Sequence, residues 1–242
     1  MTSIIIPTYN NLQLFKYALE SVLKQKEASF EIIVTDDSTN NDIELYCSQI
    51  KDSRIIYVHN KPSKGAIANW NSGLSLVKGE NVIVLHHDES FISDDFLYRI
   101  DNLLTNNDIV IHNKLVKLPN GVKKELIPEF IKKIFIRLKY PILAVNVIGP
   151  CACIAFKKEK IESFDERLHW LVDCEWYFRL FKQSRNILYV SSKEILSRHN
   201  HEGQITNNID IERVYMADSQ IISKKYNSYL INILIRFGHL MI

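Results

Sequence analysis

Three groups of carboxylates in this 242-residue chain have the types and spacing to do chemistry. Asp36 and Asp37 close the β-branched run Ile32-Ile33-Val34-Thr35, and Asp88 and Glu89 follow Val82 to Leu85 and a His86-His87 pair. Carboxylates so placed suit a divalent cation that bridges them to phosphate oxygens, and an imidazole is an acceptable Mn²⁺ ligand beside them. The third group, Asp173-Cys174-Glu175-Trp176, opens a helical pattern. An acid there has the chemistry to accept a proton from an attacking hydroxyl. Each group also has a plainer reading. Asp and Ser favour turns, and Asp is a preferred helix N-cap.

The elements around these residues alternate strand and helix. Ile4-Ile5-Ile6, Ile32-Ile33-Val34, Arg54 to Val58 and Val82 to Leu85 read as strands, and Asn11 to Lys26, Asp42 to Ile50 and Ala66 to Val77 as helices. Such β-α-β repetition predicts a mainly parallel sheet covered on both faces. Ligands of these sheets bind beyond the carboxyl ends of the strands. That rule selects Thr8, Asp36, Asp37, Asp88 and Glu89. Further on, Phe96 to Leu104 and Asp173 to Lys182 read as helices, and Ile109 to Leu118, Cys151 to Phe156 and Ile187 to Val190 as strands. Glu125 to Tyr140 is apolar on one side and basic on the other, and two helices follow Asp210, the last from Tyr229 to Met241.

Composition bounds the function. With 46% hydrophobic and 24% charged residues the chain can bury a sizeable core. A net charge of +2 argues against a protein held to nucleic acid by bulk charge. Met1-Thr2-Ser3 has no basic signal-peptide region, and no run reaches the ~18 apolar residues of a membrane span. Cys47, Cys151, Cys153 and Cys174 do not make a disulfide scaffold, and the one-residue gap at Cys151–Cys153 is not a zinc-knuckle spacing. The expected location is cytoplasmic. Lys132 to Lys139 and the last helix, with Arg236 and His239, have the basic, apolar character of a peripheral membrane contact at the inner face of the membrane. A solvated face over the core, or a homodimer contact, reads equally well.

Taken together, the segments resemble glycosyltransferase family 2. The resemblance runs through Ile4-Ile5-Ile6-Pro7-Thr8-Tyr9-Asn10, Glu31 to Asn40, Lys64 to Leu74, Lys78-Gly79-Glu80, His86-His87-Asp88-Glu89, Phe164-Asp165-Glu166 and Asp173 to Leu180. It implies a GT-A fold: an α/β, Rossmann-like, mainly parallel sheet flanked by helices, here with a C-terminal helical extension. The expected division is residues 1–95 for the nucleotide-sugar half, 96–205 for the acceptor half and 206–242 for a helical tail. It also implies an inverting transfer of a sugar, with a UDP-sugar the expected donor, to a hydroxyl of a glycan or a polyprenyl-diphosphate-linked acceptor, as in O-antigen or capsule synthesis.

The resemblance carries over residue by residue. Pro7, Thr8 and Tyr9 would line the nucleotide pocket, with Asp37 at the uracil ring and Asp36 beside it. Lys64, Gly65 and Asn69 would approach the ribose and diphosphate, and His87 and Asp88 would complete the nucleotide contacts. Asp88, Glu89 and His199 would hold Mn²⁺ or Mg²⁺. Asp173 matches the family's base, and Trp70, Trp176 and Glu175 would face sugar or acceptor. Arg198-His199 followed by Gln204 resembles a late loop that closes over the diphosphate. The sequence departs from the pattern in three ways: His86 replaces the first acid of Asp-x-Asp, Glu89 follows Asp88, and Ser38 directly follows the Asp pair. Two other readings stay open, a nucleotidyltransferase and a non-catalytic nucleotide- or sugar-binding module. The first lacks the Gly-rich basic phosphate loop after the first strand, where Pro7-Thr8-Tyr9-Asn10-Asn11 stands.

Overall fold

A computed structural model describes residues 1–121, 123–124, 127–201 and 210–239. Gln204, the Glu125 start of the basic segment and the Met241 end of the last helix lie outside the described residues. The strands are β1 (Thr2–Thr8), β2 (Phe30–Asp36), β3 (Ile55–His59), β4 (Asn81–Val84), β5 (Glu89–Phe91), β6 (Ile109–Lys117), β7 (Lys123–Lys124), β8 (Ile154–Lys157) and β9 (Ile187–Arg198). The helices are α1 (Leu12–Leu23), α2 (Asp42–Gln49), α3 (Ala66–Leu74), α4 (Phe96–Leu104), α5 (Glu129–Leu138), α6 (Val172–Gln183), α7 (Ile211–Tyr226) and α8 (Tyr229–His239).

All these strands join one sheet in the order β3-β2-β1-β4-β8-β6-β9-β5, with β7 paired to β6. β1 to β4 are mutually parallel, β8 is antiparallel to β4 and β6, and β9 is parallel to β6. This is the α/β, mainly parallel GT-A arrangement expected from the sequence. β1 and β2 are buried along their whole length. Their continuous β-branched runs, rather than alternating ones, follow from helices packing on both faces. One apolar cluster extends from Ile4 to Ile235.

The structure differs from the pattern reading at three elements. Cys151–Cys153 is a short 3-10 turn after Pro150, and β8 begins only at Ile154. β9 continues past Val190 to Arg198. Register irregularities against β6, on both sides of Asn113, carry it through the polar Ser191-Ser192 pair. β5 has only three residues, too few for a period to be visible.

A tight turn fixes the start of β4 against β1. The Gly79 N–H donates to Ser3 Oγ at 2.8 Å and to Glu31 Oε1 at 3.2 Å. A Cβ at this position would stand 2.7 Å from the Met1 carbonyl oxygen and 2.8 Å from Ser3 N, both backbone atoms. Gly79→Ala is expected to cost about 1–3 kcal/mol through overpacking. Urea unfolding checks this, and an unchanged midpoint would contradict it.

Candidate active site

β1 has β2 on one side and β4 on the other, so the sheet order reverses there and opens a crevice beyond the carboxyl ends of β1 and β4. Pro7, Thr8 and Tyr9 form one lip. Pro7 and Thr8 are buried, and Tyr9 is half exposed. The Thr8 hydroxyl is buried without a hydrogen-bond partner among the described residues. A buried, unsatisfied hydroxyl is costly, and here it stands at the mouth of the crevice.

Asp36 and Asp37 end β2. Asp36 is fully buried and accepts from Ser38 N at 2.9 Å and from the Tyr57 hydroxyl at 2.7 Å. Asp37 accepts from Lys64 N at 2.7 Å, Gly65 N at 2.9 Å, Ser63 Oγ at 2.6 Å and Asn60 Nδ2 at 3.2 Å. The Asp37 carboxylate thus shapes the segment entering α3. Gly65 holds φ +90 there with open space where a side chain would be. Lys64 Nζ donates to Ser72 Oγ at 3.0 Å. Asn69 is buried under the crevice and donates to the Thr35 and Thr8 carbonyls at 3.0 and 3.4 Å.

The segment after β4 carries the second group of acids. Asp88 is partly exposed, and its Oδ2 lies 3.4 Å from His201 Nε2. Burial pushes its carboxyl upward, but the His201 hydrogen bond and neighbouring imidazoles outweigh this and hold it at about 2. Asp88 is therefore ionised at neutral pH. Glu89 is buried, and its Oε2 accepts from His86 N at 3.0 Å. Burial first, and then the Asp88 charge, pushes its carboxyl well above the usual range. Burial holds His86 down at about 4, so its ring is neutral; it lies 4.6 Å from Trp70, centroid to centroid. Burial also lowers His87, which contacts the Pro7 carbonyl. Arg198 N donates to the Asp88 carbonyl at 3.0 Å, bringing the end of β9 to this point. His199 follows, its Nε2 3.1 Å from Ser197 Oγ. Among the described residues no three His, Cys, Asp or Glu side chains form a metal-holding group.

Asp173 stands in the first turn of α6 without capping it, since the N-cap is Leu171. Its Oδ1 accepts from the Cys151 thiol at 3.4 Å. Burial raises the Asp173 carboxyl to about 6, while Cys151 and the Lys114 charge pull it partly back. Lys114 lies over Gly149, and its charge also acts on Glu89. Glu89 in turn feels both Asp88 and Asp173. Charge coupling through Glu89 therefore links Asp88 to Asp173.

Two residues assigned to sugar or acceptor lie elsewhere. Trp176 is fully buried, stacked on Phe164 at 4.3 Å, with its Nε1 donating to the Glu162 carbonyl at 2.8 Å. Its ring is core, with no face open to a ligand. Glu175 is fully buried and accepts from Arg179 Nε at 2.9 Å, Lys225 Nζ at 2.9 Å and the Tyr226 hydroxyl at 2.5 Å. It ties α6 to the end of α7. Trp70 is half-buried, between His86 and Phe164.

Lys114, Cys151 and Asp218 were not singled out by pattern. Asp218, fully buried on α7, accepts from three successive backbone N–H groups: His169 at 3.0 Å, Trp170 at 2.7 Å and Leu171 at 2.8 Å. These residues lead directly into α6 and Asp173. Asp218→Ala leaves three buried donors unsatisfied and is expected to cost on the order of 2–4 kcal/mol. Asp218→Asn retains one acceptor oxygen and is expected to cost less. Equal, near-zero losses in urea unfolding would contradict this.

Comparison with known proteins gives a consistent picture. A profile described as Glycosyl transferase family 2 matches residues 3–164. A glycosyltransferase of Rickettsia prowazekii (strain Madrid E) is 28% identical over 222 residues, covering 86% of this chain and 66% of that protein. The Escherichia coli UDP-Glc:alpha-D-GlcNAc-diphosphoundecaprenol beta-1,3-glucosyltransferase WfgD is 32% identical over 107 residues, 44% of this chain and 42% of that one. The chain thus spans less than two thirds of the length of either relative. The crystal structure of S. aureus TarS 1-349 in complex with UDP-GlcNAc superposes with a TM-score of 0.77 at 18% identity, over 99% of this chain and 72% of that one.

Proposed function

The chain belongs to glycosyltransferase family 2, and on that premise we propose that it transfers one sugar from a UDP-sugar to an acceptor hydroxyl with inversion at the anomeric carbon. The observation that carries the reading is Asp173: a carboxyl raised to about 6 by burial, electrostatically linked through Glu89 to the ionised Asp88. A base poised near neutral pH is matched to taking a proton from a hydroxyl. As the hydroxyl attacks, its proton moves to the Asp173 carboxylate, and the sugar–phosphate bond breaks on the opposite face. The glucosyltransferase WfgD, named for UDP-Glc and a diphosphoundecaprenol acceptor, and the UDP-GlcNAc complex of TarS support a UDP-sugar donor and an acceptor carried on a lipid diphosphate.

On the donor side the residues take distinct roles. The open lip at Thr8, Tyr9 and Gly65 admits the nucleotide, and the unpaired Thr8 hydroxyl offers it a partner. Asp37 shapes this pocket through the Lys64 and Gly65 backbone, with Asp36 and Asn69 beneath. Residues 1–95 form the donor half, 96–205 the acceptor half, and residues beyond 205 brace α6 through Asp218.

The donor set fits a divalent cation in part. Asp88 is ionised and partly exposed beside the His201 imidazole, with His199 near, and such an O,N set suits Mn²⁺ or Mg²⁺ completed by phosphate oxygens. Glu89 fits less well, because its carboxyl is buried, pushed well above the usual range by burial and the Asp88 charge, and turned to the His86 N–H. A bound cation would supply Lewis-acid stabilisation of the departing diphosphate.

The test is turnover of a UDP-sugar panel with a GlcNAc-diphosphate-lipid analogue as acceptor, with the product's anomeric configuration read by NMR. The expected result is transfer with inversion. Retention at the anomeric carbon, or binding of UDP-sugars without transfer to any acceptor hydroxyl, would overturn it. The second outcome would favour the non-catalytic module.

A further inference from the structure

We propose that α5 is a docking face for an anionic lipid surface. Its outward residues are Phe130, Lys133, Ile134, Arg137 and Leu138. Phe130, Ile134 and Leu138 are spaced by four residues and are 63%, 49% and 55% exposed. At about 100° per residue, all five lie within one side of the helix. Three large apolar side chains in water on one face are unusual for a solvated helix. Their interleaving with two cations, and with no acid, is the pattern of a helix lying in a membrane interface.

The rest of the helix is fixed, so this face cannot turn inward. Lys132 is 4% exposed, and its Nζ donates to Asn113 Oδ1 at 2.6 Å. Ile136 is in the core. Glu129, the one acid of α5, receives a hydrogen bond from Asn113 Nδ2 at 3.3 Å. Lys139 is also engaged, donating to the Phe181 and Ser184 carbonyls at the end of α6. Of the basic run seen in the sequence, the exposed cations are therefore Arg137 and Lys133, whose Nζ lies 5.5 Å from the Tyr189 ring centroid, not Lys132 or Lys139.

A second helix carries exposed apolar side chains beside a cation. Both α5 and α8 pack against the 3-10 helix Tyr140–Leu143, whose Tyr140 is 37% exposed. α8 exposes Leu230 and Phe237, at 50% and 63%, with Arg236 beside Phe237. Neither helix is long and apolar enough to cross a membrane, so the contact is in the interface plane. The 3-10 helix also packs against α6, which carries Asp173. Docking would thus set the acceptor side of the molecule at the bilayer, a consequence that rests on the lipid-linked acceptor proposed above.

The experiment is co-sedimentation of the full chain with vesicles of mixed phosphatidylglycerol and phosphatidylcholine, and with phosphatidylcholine alone. The full chain is expected to bind the anionic vesicles, more weakly as salt rises. Each cation near such a surface contributes about 1 kcal/mol, or roughly fivefold. Lys133→Glu with Arg137→Glu is expected to weaken binding at least about tenfold. Phe130→Ser with Ile134→Ser should also weaken it. Both pairs should leave UDP-sugar turnover on a water-soluble acceptor unchanged, which separates failure of docking from failure of the catalytic reading. Equal binding to neutral and anionic vesicles, or no effect of either pair, would overturn the proposal. So would light scattering showing that the face pairs two copies of the chain, with the serine variants monomeric and no vesicle binding by the parent.

Discussion

Asp173→Asn is expected to lower kcat by at least about two orders of magnitude, within the 10²–10⁴-fold range that a positioned general base contributes. Asn has the same shape and can still accept from the Cys151 thiol, which lies 3.4 Å from Oδ1. It cannot take a proton. On the proposed reading Thr8, Asp37 and Asp88, not Asp173, serve the donor, so KM for the UDP-sugar should stay within about threefold. A loss confined to the rate is the signature of an interaction made in the transition state. Single-turnover kinetics at saturating donor measures it, and near-normal turnover would remove Asp173 from its role.

The second large effect is expected at Asp88. Its carboxylate is ionised, whereas burial and the Asp88 charge push the Glu89 carboxyl beside it well above the usual range. Asp88→Asn removes the charge that would hold a cation against the diphosphate. Loss of one preorganised stabiliser of developing charge costs about 10²–10³-fold in rate. Binding should suffer as well. A ligand at 100 times its Kd adds about 2.7 kcal/mol of stability, which in a chain of this size is a thermal shift of roughly 5–10 °C. For the parent chain that shift with UDP should require Mn²⁺ or Mg²⁺ and vanish with EDTA. For Asp88→Asn it should be small with or without metal. Glu89→Gln, which keeps an acceptor oxygen for the His86 N–H, should resemble the parent. A Glu89→Gln variant as damaged as Asp88→Asn would contradict the division of roles.

The parallel half of the fold was legible because its signals are local. Ile4-Ile5-Ile6 and Ile32-Ile33-Val34 are buried on both faces, so they read as unbroken apolar runs, and Thr8 and Asp36, which end the two strands, fall at the crevice. What the acids do there was less visible. The partners of Asp37 come from residues 60–65, whose return to β2 is a tertiary fact. Glu89 looks like Asp88 in the sequence, yet burial and the Asp88 charge push one carboxyl up, while His201 and the neighbouring imidazoles hold the other down.

On α6 a clue was available. Asp173 and Glu175 are two residues apart, and such positions do not share a helix face. If Asp173 faces the cleft, Glu175 must point away, and it is found between Arg179, Lys225 and Tyr226. Trp176 is resolved only by packing, since aromatic residues serve both cores and sugar sites. Asp218 was out of reach. It lies 47 residues from Leu171 in sequence, and its three partners are backbone N–H groups that carry no residue signature.

The most direct test of the central claim is the pH dependence of kcat/KM on the UDP-sugar. Burial raises Asp173 to about 6, and the carboxylate is the active form. Activity should therefore fall as pH drops through about 6, with a slope of one proton, and level off above it. In Asp173→Asn the residual rate should lose that acid limb. A limb near the ordinary aspartate value of about 4, or one at 6 that persists in Asp173→Asn, would contradict the assignment of Asp173 as the base.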